Sequence, residues 1–170
     1  MKYKKQITTS AALLILALPF VFRPYVVTGG SMEPTYSEGT VVIAEKLTHH
    51  FYVSRGSVLV MRNPHDKKVT EIKRVVGLPG ELVEMDSNGV TVTTEKAKGA
   101  PWQCQGRPLA CSRTYATGTL IGGEFNGPFR IKLGPEDYFV LGDNRSKSSD
   151  SRVFGAVQAG DIIGHVIMEM

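Results

Sequence analysis

Short segments rich in valine and isoleucine, separated by polar turns, make up much of the chain after residue 40. Glycine, proline and asparagine bound these segments, and this combination is typical of β-strands. The predicted strands are residues 40–45, 57–62, 69–77, 81–86, 89–94, 129–133, 137–142 and 161–170. Beyond the amino-terminal part, no apolar segment has the 3.6-residue period of an amphipathic helix. The pattern therefore predicts a mostly β domain with mainly antiparallel strands.

A longer apolar segment lies near the amino terminus, at residues 7–22, and follows three lysines. As a helix it is roughly 25 Å long, slightly short of a bilayer core of about 30 Å. The segment is therefore predicted to be a transmembrane anchor. By the positive-inside rule, residues 1–6 are predicted to form a cytoplasmic basic tail and residues 23–170 to be exported. A cleavable signal peptide is the alternative, although residues 23–25 offer no small-residue cleavage site.

Composition and charge argue against two classes of protein, namely disordered chains and nucleic-acid-binding proteins. The chain has 170 residues, enough for one domain with an appendage, and its apolar content of 42% argues against disorder. Its net charge is +4, but Lys2, Lys4 and Lys5 supply three of these charges. Because the remainder is close to neutral, the charge does not indicate a nucleic-acid partner.

The segment at about 96–128 carries few strand-like positions and is predicted to be a small insertion. It contains both cysteines of the chain, Cys104 and Cys111. An even number of cysteines at short spacing in an exported domain favours a disulfide. A two-cysteine metal site is the alternative, but no histidine lies nearby in the sequence and the four histidines form no HExxH-like pattern. We therefore expect a disulfide and no metal or cofactor.

The sequence GGSMEPT, at residues 29–35, favours neither a strand nor a helix. Its glycines and proline would hold Ser31 in an exposed turn just beyond the predicted anchor. A serine nucleophile needs a base, and none of the histidines has an orienting acid at a recognisable spacing. Lysine is the remaining option, provided that it is neutral.

A lysine with the reference pKa is deprotonated only about one part in a thousand near neutral pH, and burial lowers that pKa. Lys73 is the candidate because it lies in the apolar segment predicted as strand 69–77. It shares a strand face with Val75 but also with Glu71. The pattern alone therefore leaves open an edge-strand lysine that protects against aggregation.

Four segments together resemble the successive boxes of the type I signal peptidases. In chain order they are GGSMEPT (29–35), RGSVLVMRNP (55–64), KRVVGLPGE (73–81) and GDNRSKSSDSRVFG (142–155). Members of that family are membrane-bound serine proteases with a Ser-Lys dyad that cut exported precursors on the outer side of the cytoplasmic membrane. The resemblance implies an antiparallel coiled-β catalytic domain behind the anchor, with precursor proteins and membrane lipid as partners.

The resemblance also assigns roles to individual residues. It implies that Ser31 is the nucleophile, that Lys73 is the general base, and that Ser148 hydrogen-bonds the lysine. Residues near the oxyanion or substrate would be Gly29, Gly30 and Met32. A structural frame would comprise Arg74, Asp143, Asn144, Arg145, Asp150 and Arg152. For Asp143, Arg145, Asp150 and Arg152, plain surface charges are the alternative.

Two positions depart from the family pattern. Gly29 stands where some members have a serine that helps to bind the oxyanion, so the Ser31 N–H would act with a backbone donor or water. Ser57 replaces the aspartate that usually follows the glycine in the second box. We also expect Met32 and the apolar run 51–53 to rest in the membrane interface.

Three functions remain open at this point. The first is a signal peptidase for exported precursors in general. The second is a maturation peptidase dedicated to a conjugative pilin, which the compact length favours and which would transfer the acyl group to an amine if it cyclises its product. The third, from a different class, is a non-catalytic anchored β module that binds precursors. A soluble self-cleaving repressor is disfavoured by the apolar segment.

Overall fold

Two antiparallel sheets contain the strands of the described part of the chain. The computed structural model describes residues 19–47, 53–86, 89–93, 114–115 and 129–170. The larger sheet comprises β1 (Phe22–Val26), β2 (Val41–Glu45), β3 (Val58–Arg62), β4 (Thr70–Gly77), β9 (Asp137–Leu141), β10 (Val157–Gln158) and β11 (Ile162–Glu169). The smaller sheet comprises β5 (Leu82–Asp86), β6 (Gly89–Thr93), β7 (Thr114–Tyr115) and β8 (Phe129–Lys132).

The strand order places β4 inside the larger sheet. That sheet has seven strands in the order β1-β2-β11-β3-β4-β9-β10, and the smaller has four in the order β7-β6-β5-β8. A single helical turn, α1 (Ser151–Phe154), and a 3-10 turn (Ala159–Asp161) lie on either side of β10. The predicted mostly β, antiparallel fold is therefore confirmed.

Each of the strands predicted from the sequence is present, with ends that differ by at most one residue. The sequence pattern did not predict β1, β7, β10 or α1. Strand β1 was not predicted because Arg23 and Pro24 interrupt the apolar pattern directly after residue 22. Proline is accommodated there because β1 pairs only with β2 among the described strands, and an edge strand tolerates a missing N–H.

Buried apolar side chains form three clusters along the sheets. One of them joins β2 and β3 to the turn that contains Met32, which is 1% exposed. The expectation that Met32 rests in the membrane interface is therefore wrong, because its side chain is enclosed by the valines of β2 and β3. Full burial of a side chain of this size contributes about 1.5–3 kcal/mol to folding, so Met32 fixes this turn to the sheet.

Gly77, at the end of β4, lies where the two sheets meet. A Cβ atom at Gly77 would lie 2.8 Å from side-chain atoms of Leu133 and Val83 and 2.9 Å from Phe139. These residues belong to a buried cluster that also contains Val76 and Leu141. The smaller sheet therefore packs against the end of the strand that carries Lys73.

Several predictions fall on parts of the chain outside the described residues. Of the predicted anchor at 7–22, only residues 19–22 are described: 19–21 are helical and Phe22 begins β1. Within the described ranges, no helix combines the length and apolar character needed to cross a membrane. Cys104, Cys111 and most of the insertion at 96–128 also lie outside, so the disulfide and the domain limits stay predictions.

Candidate active site

Ser31 occupies a turn between β1 and β2. Gly29, two residues earlier, has a φ of 74°, a left-handed conformation that glycine adopts without steric cost. The peptide bond between Glu33 and Pro34 is cis. The backbone N–H of Tyr36 donates to the Met32 carbonyl oxygen at 2.9 Å. With Met32 buried on one side, the turn presents Ser31 towards β4.

Lys73 is buried on β4 and contacts this serine. The residue is 4% exposed. Its strand, β4, lies between β3 and β9 in the larger sheet. Lys73 Nζ lies 3.2 Å from Ser31 Oγ, to which it donates a hydrogen bond across a sequence separation of 42 residues. Because β4 is an interior strand, the alternative of an edge-strand lysine is excluded. Leu59 lies opposite Lys73 in the register of β3 and β4, Val75 shares its strand face, and both are fully buried.

A carboxylate also contacts the amine. Glu71 Oε2 lies 3.1 Å from Lys73 Nζ, as expected for two residues on one face of a strand. The other carboxylate oxygen of Glu71 accepts a hydrogen bond from Asn63 Nδ2 at 2.5 Å. The amine of Lys73 is therefore placed between a serine hydroxyl and a glutamate.

The loop after β9, residues 142–150, closes over the serine. The Asn144 N–H donates to the Ser31 carbonyl oxygen at 3.0 Å, which fixes the backbone of the serine. Gly142 has no room for a side chain, since a Cβ atom would lie 2.5 Å from the Ser31 carbonyl oxygen and 2.1 Å from Ser148 Oγ. This loop and the Ser31 turn are therefore in direct backbone contact.

Ser148 reaches the site, but its predicted contact with the lysine is not made in this structure. Its hydroxyl donates to the Ser149 carbonyl oxygen at 3.5 Å, which is a long hydrogen bond. Within the described residues no hydrogen bond joins Ser148 to Lys73. Its proposed support of the lysine stays a prediction, favoured by its position against Gly142.

Arg74 connects β4 to the loop. Its Nε and Nη2 atoms donate to the two carboxylate oxygens of Asp143 at 2.8 and 2.6 Å, and its Nη1 donates to the Gly56 carbonyl oxygen at 2.8 Å. The side chains of Arg74 and Asp143 are 8% and 1% exposed. A bidentate pair with this degree of burial fixes both position and orientation.

A second buried pair holds the far end of the loop. Arg152 donates from Nε and Nη2 to the carboxylate oxygens of Asp150 at 2.7 and 2.8 Å. Asp150 is fully buried, accepts the Gly142 N–H at 2.9 Å and caps α1 through the Arg152 N–H. Arg145 donates from Nε to the Gly142 carbonyl oxygen at 2.9 Å. For Asp143, Asp150 and Arg152 the alternative of plain surface charges is excluded.

Two contacts were not predicted from the sequence. Gly142 belongs to the fourth box, but its closeness to Ser31 depends on how two distant segments meet. Glu71 was recognised as sharing a face with Lys73, yet the pattern gave no sign that Asn63 would hold it there. Of the described residues, no three histidine, cysteine, aspartate or glutamate side chains form a group that could bind a metal ion.

Known proteins resemble this chain over most of its length. The family model described as "Signal peptidase, peptidase S26" matches residues 1–170. A signal peptidase I of Bacillus amyloliquefaciens is 34% identical over an alignment of 167 positions that covers 96% of this chain and 81% of the relative. Signal peptidase I V of Bacillus subtilis (strain 168) is 34% identical over an alignment of 161 positions that covers 91% of this chain and 89% of the relative.

A crystal structure of a signal peptidase I from Enterococcus faecalis V583 overlaps with 69% of this chain and 97% of its own, at 25% identity and a TM-score of 0.46. The family model and the Bacillus relatives confirm both the resemblance drawn from the four boxes and the class of serine endopeptidase. The chain belongs to the signal peptidase family, peptidase S26.

Proposed function

We propose that Ser31 and Lys73 are the catalytic dyad with which this enzyme removes amino-terminal signal peptides from exported precursors. The observation that carries the proposal is the contact of 3.2 Å between Lys73 Nζ and Ser31 Oγ, made by a lysine that is 4% exposed. A buried amine loses the hydration that stabilises its charge, so burial favours the neutral form that a base requires. The distance is within reach of direct proton transfer.

The reaction follows from this geometry. Neutral Lys73 takes the hydroxyl proton while Ser31 Oγ attacks the carbonyl carbon of the scissile bond. The carbon–nitrogen bond then breaks, the Lys73 ammonium gives its proton to the departing amine, and the acyl group stays on Ser31. Lys73 next takes a proton from water, which attacks the ester carbon. The bond from that carbon to Ser31 Oγ then breaks, the Lys73 ammonium returns its proton to Oγ, and the acid is released. The Ser31 N–H, with a second backbone donor or water, would stabilise the oxyanion.

Three contacts support the positions of the reacting groups. Asn144 fixes the carbonyl of Ser31, and the pair formed by Arg74 and Asp143 attaches the loop to the strand of the base. Gly142 lets the two backbones approach. Errors of about 1 Å in such placement cost about a hundredfold in rate, so a rigid support is consistent with a catalytic role.

We propose that the substrate binds as an extended strand and that alanine-sized residues fit at the first and third positions before the cut, as the family resemblance implies. We further propose that residues 7–22 anchor the enzyme and that residues 23–170 face outward from the cytoplasmic membrane. The dedicated pilin peptidase stays a prediction, since the reported relatives are named only as signal peptidases. A non-catalytic module is disfavoured by membership in a peptidase family.

The full chain, purified with detergent or lipid and supplied with a precursor that has alanines at both positions, tests the dyad. Ser31→Ala and Lys73→Arg should each lower kcat/KM at least about 10⁴-fold, because alanine has no hydroxyl and a guanidinium keeps its proton. The matched control is Lys67→Arg, since Lys67 is 54% exposed and pairs with Asp161. Appreciable turnover by Ser31→Ala would refute the assignment.

A precursor series tests the substrate class independently. Leucine in place of alanine at the first or third position before the cut should block cleavage, whereas leucine at the intervening position should have little effect. The measurement is kcat/KM for each precursor with the unaltered enzyme. Equal cleavage of leucine and alanine sites would reject the signal-peptide specificity even if the dyad is confirmed.

A further inference from the structure

Lys73 has two polar contacts, and the proposed reaction uses only one of them. Its Nζ lies 3.2 Å from Ser31 Oγ and 3.1 Å from Glu71 Oε2. The serine contact is the one along which the proton must move. The contact with Glu71 has no step in the mechanism, although it places a carboxylate directly beside the proposed base.

Glu71 is held in this position and is not a mobile surface group. Its side chain is 14% exposed, and Asn63 Nδ2 donates to its Oε1 at 2.5 Å. Asn63 is itself fixed, because its Oδ1 accepts the backbone N–H groups of His65 and Asp66. Oε2 is buried and has no hydrogen-bond partner within the described residues. Among the described residues, the group that can offset the negative charge of Oε2 is the ammonium of Lys73, at 3.1 Å.

We propose that Glu71 is a positioning residue that holds the protonated form of Lys73 and so sets the pH range in which the enzyme is active. The proposal rests on the proposed function, in which Lys73 must be neutral to act as a base. Burial favours the neutral amine, whereas an opposite charge at 3.1 Å favours the ammonium. Glu71 therefore shifts the onset of activity to higher pH than burial alone would give.

The other charged groups around Lys73 are either neutralised or more distant. On the opposite side of β4 and on the loop after β9, Arg74 and Asp143 form a closed bidentate pair. Arg145 donates to the Gly142 carbonyl oxygen, and in the serine turn Glu33 accepts from Asn144. Beyond Leu59 of β3, the next register position on β11 is His165, with Glu45 after it on β2.

The same carboxylate acts a second time during the reaction. When Lys73 takes the Ser31 proton, it becomes an ammonium next to Glu71, and the pair of opposite charges stabilises the state that follows proton transfer. Glu71 thus lowers the fraction of active enzyme at neutral pH but makes Lys73 a stronger base once it is neutral. Removing the charge should change both the position and the height of the pH–rate profile.

Glu71→Gln tests the proposal because it removes the charge and keeps the size of the side chain. In the full chain with detergent, the midpoint of the rise of kcat/KM with pH should fall by about one pH unit or more, and the alkaline plateau should fall several-fold. The matched control is Glu84→Gln, which removes a carboxylate from the smaller sheet. It should leave the midpoint in place.

A direct titration separates this inference from the proposed function. The side-chain carbon next to Nζ is followed by NMR in lysine-labelled protein, and the Lys73 signal is assigned by its loss in Lys73→Ala. We expect the titration midpoint to fall by about one unit in Glu71→Gln, and in Glu71→Met should the glutamine variant fail to fold. Unchanged titration in a folded variant overturns the proposal. A shifted titration together with an active Ser31→Ala enzyme supports it and rejects the dyad instead.

Discussion

The two sheets differ in how far their arginine–carboxylate pairs are exposed to solvent. In the larger sheet, Arg74 of β4 pairs with Asp143 of the loop after β9, and their side chains are 8% and 1% exposed. In the smaller sheet, Arg130 and Glu84 form a pair whose side chains are 71% and 34% exposed. Both are arginine–carboxylate contacts between neighbouring segments, so residue type alone does not distinguish them. The difference is the loss of water around the first pair.

The contrast shows where the fold accepts a loss of stability in order to hold side chains in fixed positions. Desolvating a charge costs several kcal/mol, and only good geometry and further hydrogen bonds offset the cost. Among the described residues, four of the six buried charged ones lie on β4 or in and just after the loop that follows β9, namely Lys73, Arg74, Asp150 and Arg152. The other two are Glu45 of β2 and Glu81 directly before β5. The smaller sheet instead contributes apolar residues to the cluster around Gly77. One sheet places the site and the other supports it.

Among the changes that test this comparison, filling the space at Gly142 has the largest expected effect. In Gly142→Ala, the new methyl group would meet the Ser31 carbonyl oxygen and Ser148. The backbone of Ser31 would have to move, and kcat/KM should fall by about a hundredfold or more. Gly160→Ala is the matched control, because a Cβ atom there has no neighbour within 4 Å. Near-normal activity in Gly142→Ala would mean that the loop does not position the serine.

The next effect tests the buried pair. Arg74→Met should lower the free energy of unfolding by about 3–5 kcal/mol, because Asp143 is left as a buried carboxylate without its partner. Urea unfolding followed by tryptophan fluorescence or circular dichroism measures the loss. Adding Asp143→Asn to Arg74→Met should recover part of it, since the unpaired charge is then removed. A loss below about 1 kcal/mol would place this pair in the same class as the exposed one.

The exposed pair provides the contrasting value. Arg130→Ala should change the free energy of unfolding by no more than about 1 kcal/mol, since water solvates either partner alone. The kcat/KM for a precursor should stay unchanged, because the smaller sheet carries none of the proposed reacting groups. A large fall in activity for Arg130→Ala would show that this sheet does more than support β4.

The smallest effect concerns His165 in the larger sheet. Burial lowers the pKa of His165 below its ordinary value of 6.5, while Glu45 opposes this shift. The unfolded chain therefore binds a proton that the folded protein resists, so stability is kept above about pH 6.5 and is lost as pH falls further. In His165→Gln this dependence should flatten slightly. Urea unfolding at pH 7.5 and 5.5 compares the two proteins, and an unchanged slope contradicts the expectation.

The sequence predicted the strands better than it predicted the contacts between them. Alternation and turn residues located β2 to β6, β8, β9 and β11 because these depend on neighbouring residues. The two candidates for the dyad could also be identified from the sequence, because the four boxes stand in a recognisable order. Gly142 was not identified, because its role depends on the approach of the Ser31 turn. The buried state of Lys73 could not be decided from alternation either, since it depends on having strands on both sides.

Strand β11 has a consequence for how the enzyme is made. It lies between β2 and β3 in the sheet, yet it follows all the other described strands in the chain. While a ribosome has reached only residue 160, β1 and β2 have no strand that joins them to β3, β4, β9 and β10. In such a nascent chain, the turn with Ser31 and the strand with Lys73 are not yet joined through a continuous sheet. Proteolytic activity should begin only after β11 has left the ribosome, so that the peptidase cannot attack other chains before its own synthesis has passed this strand.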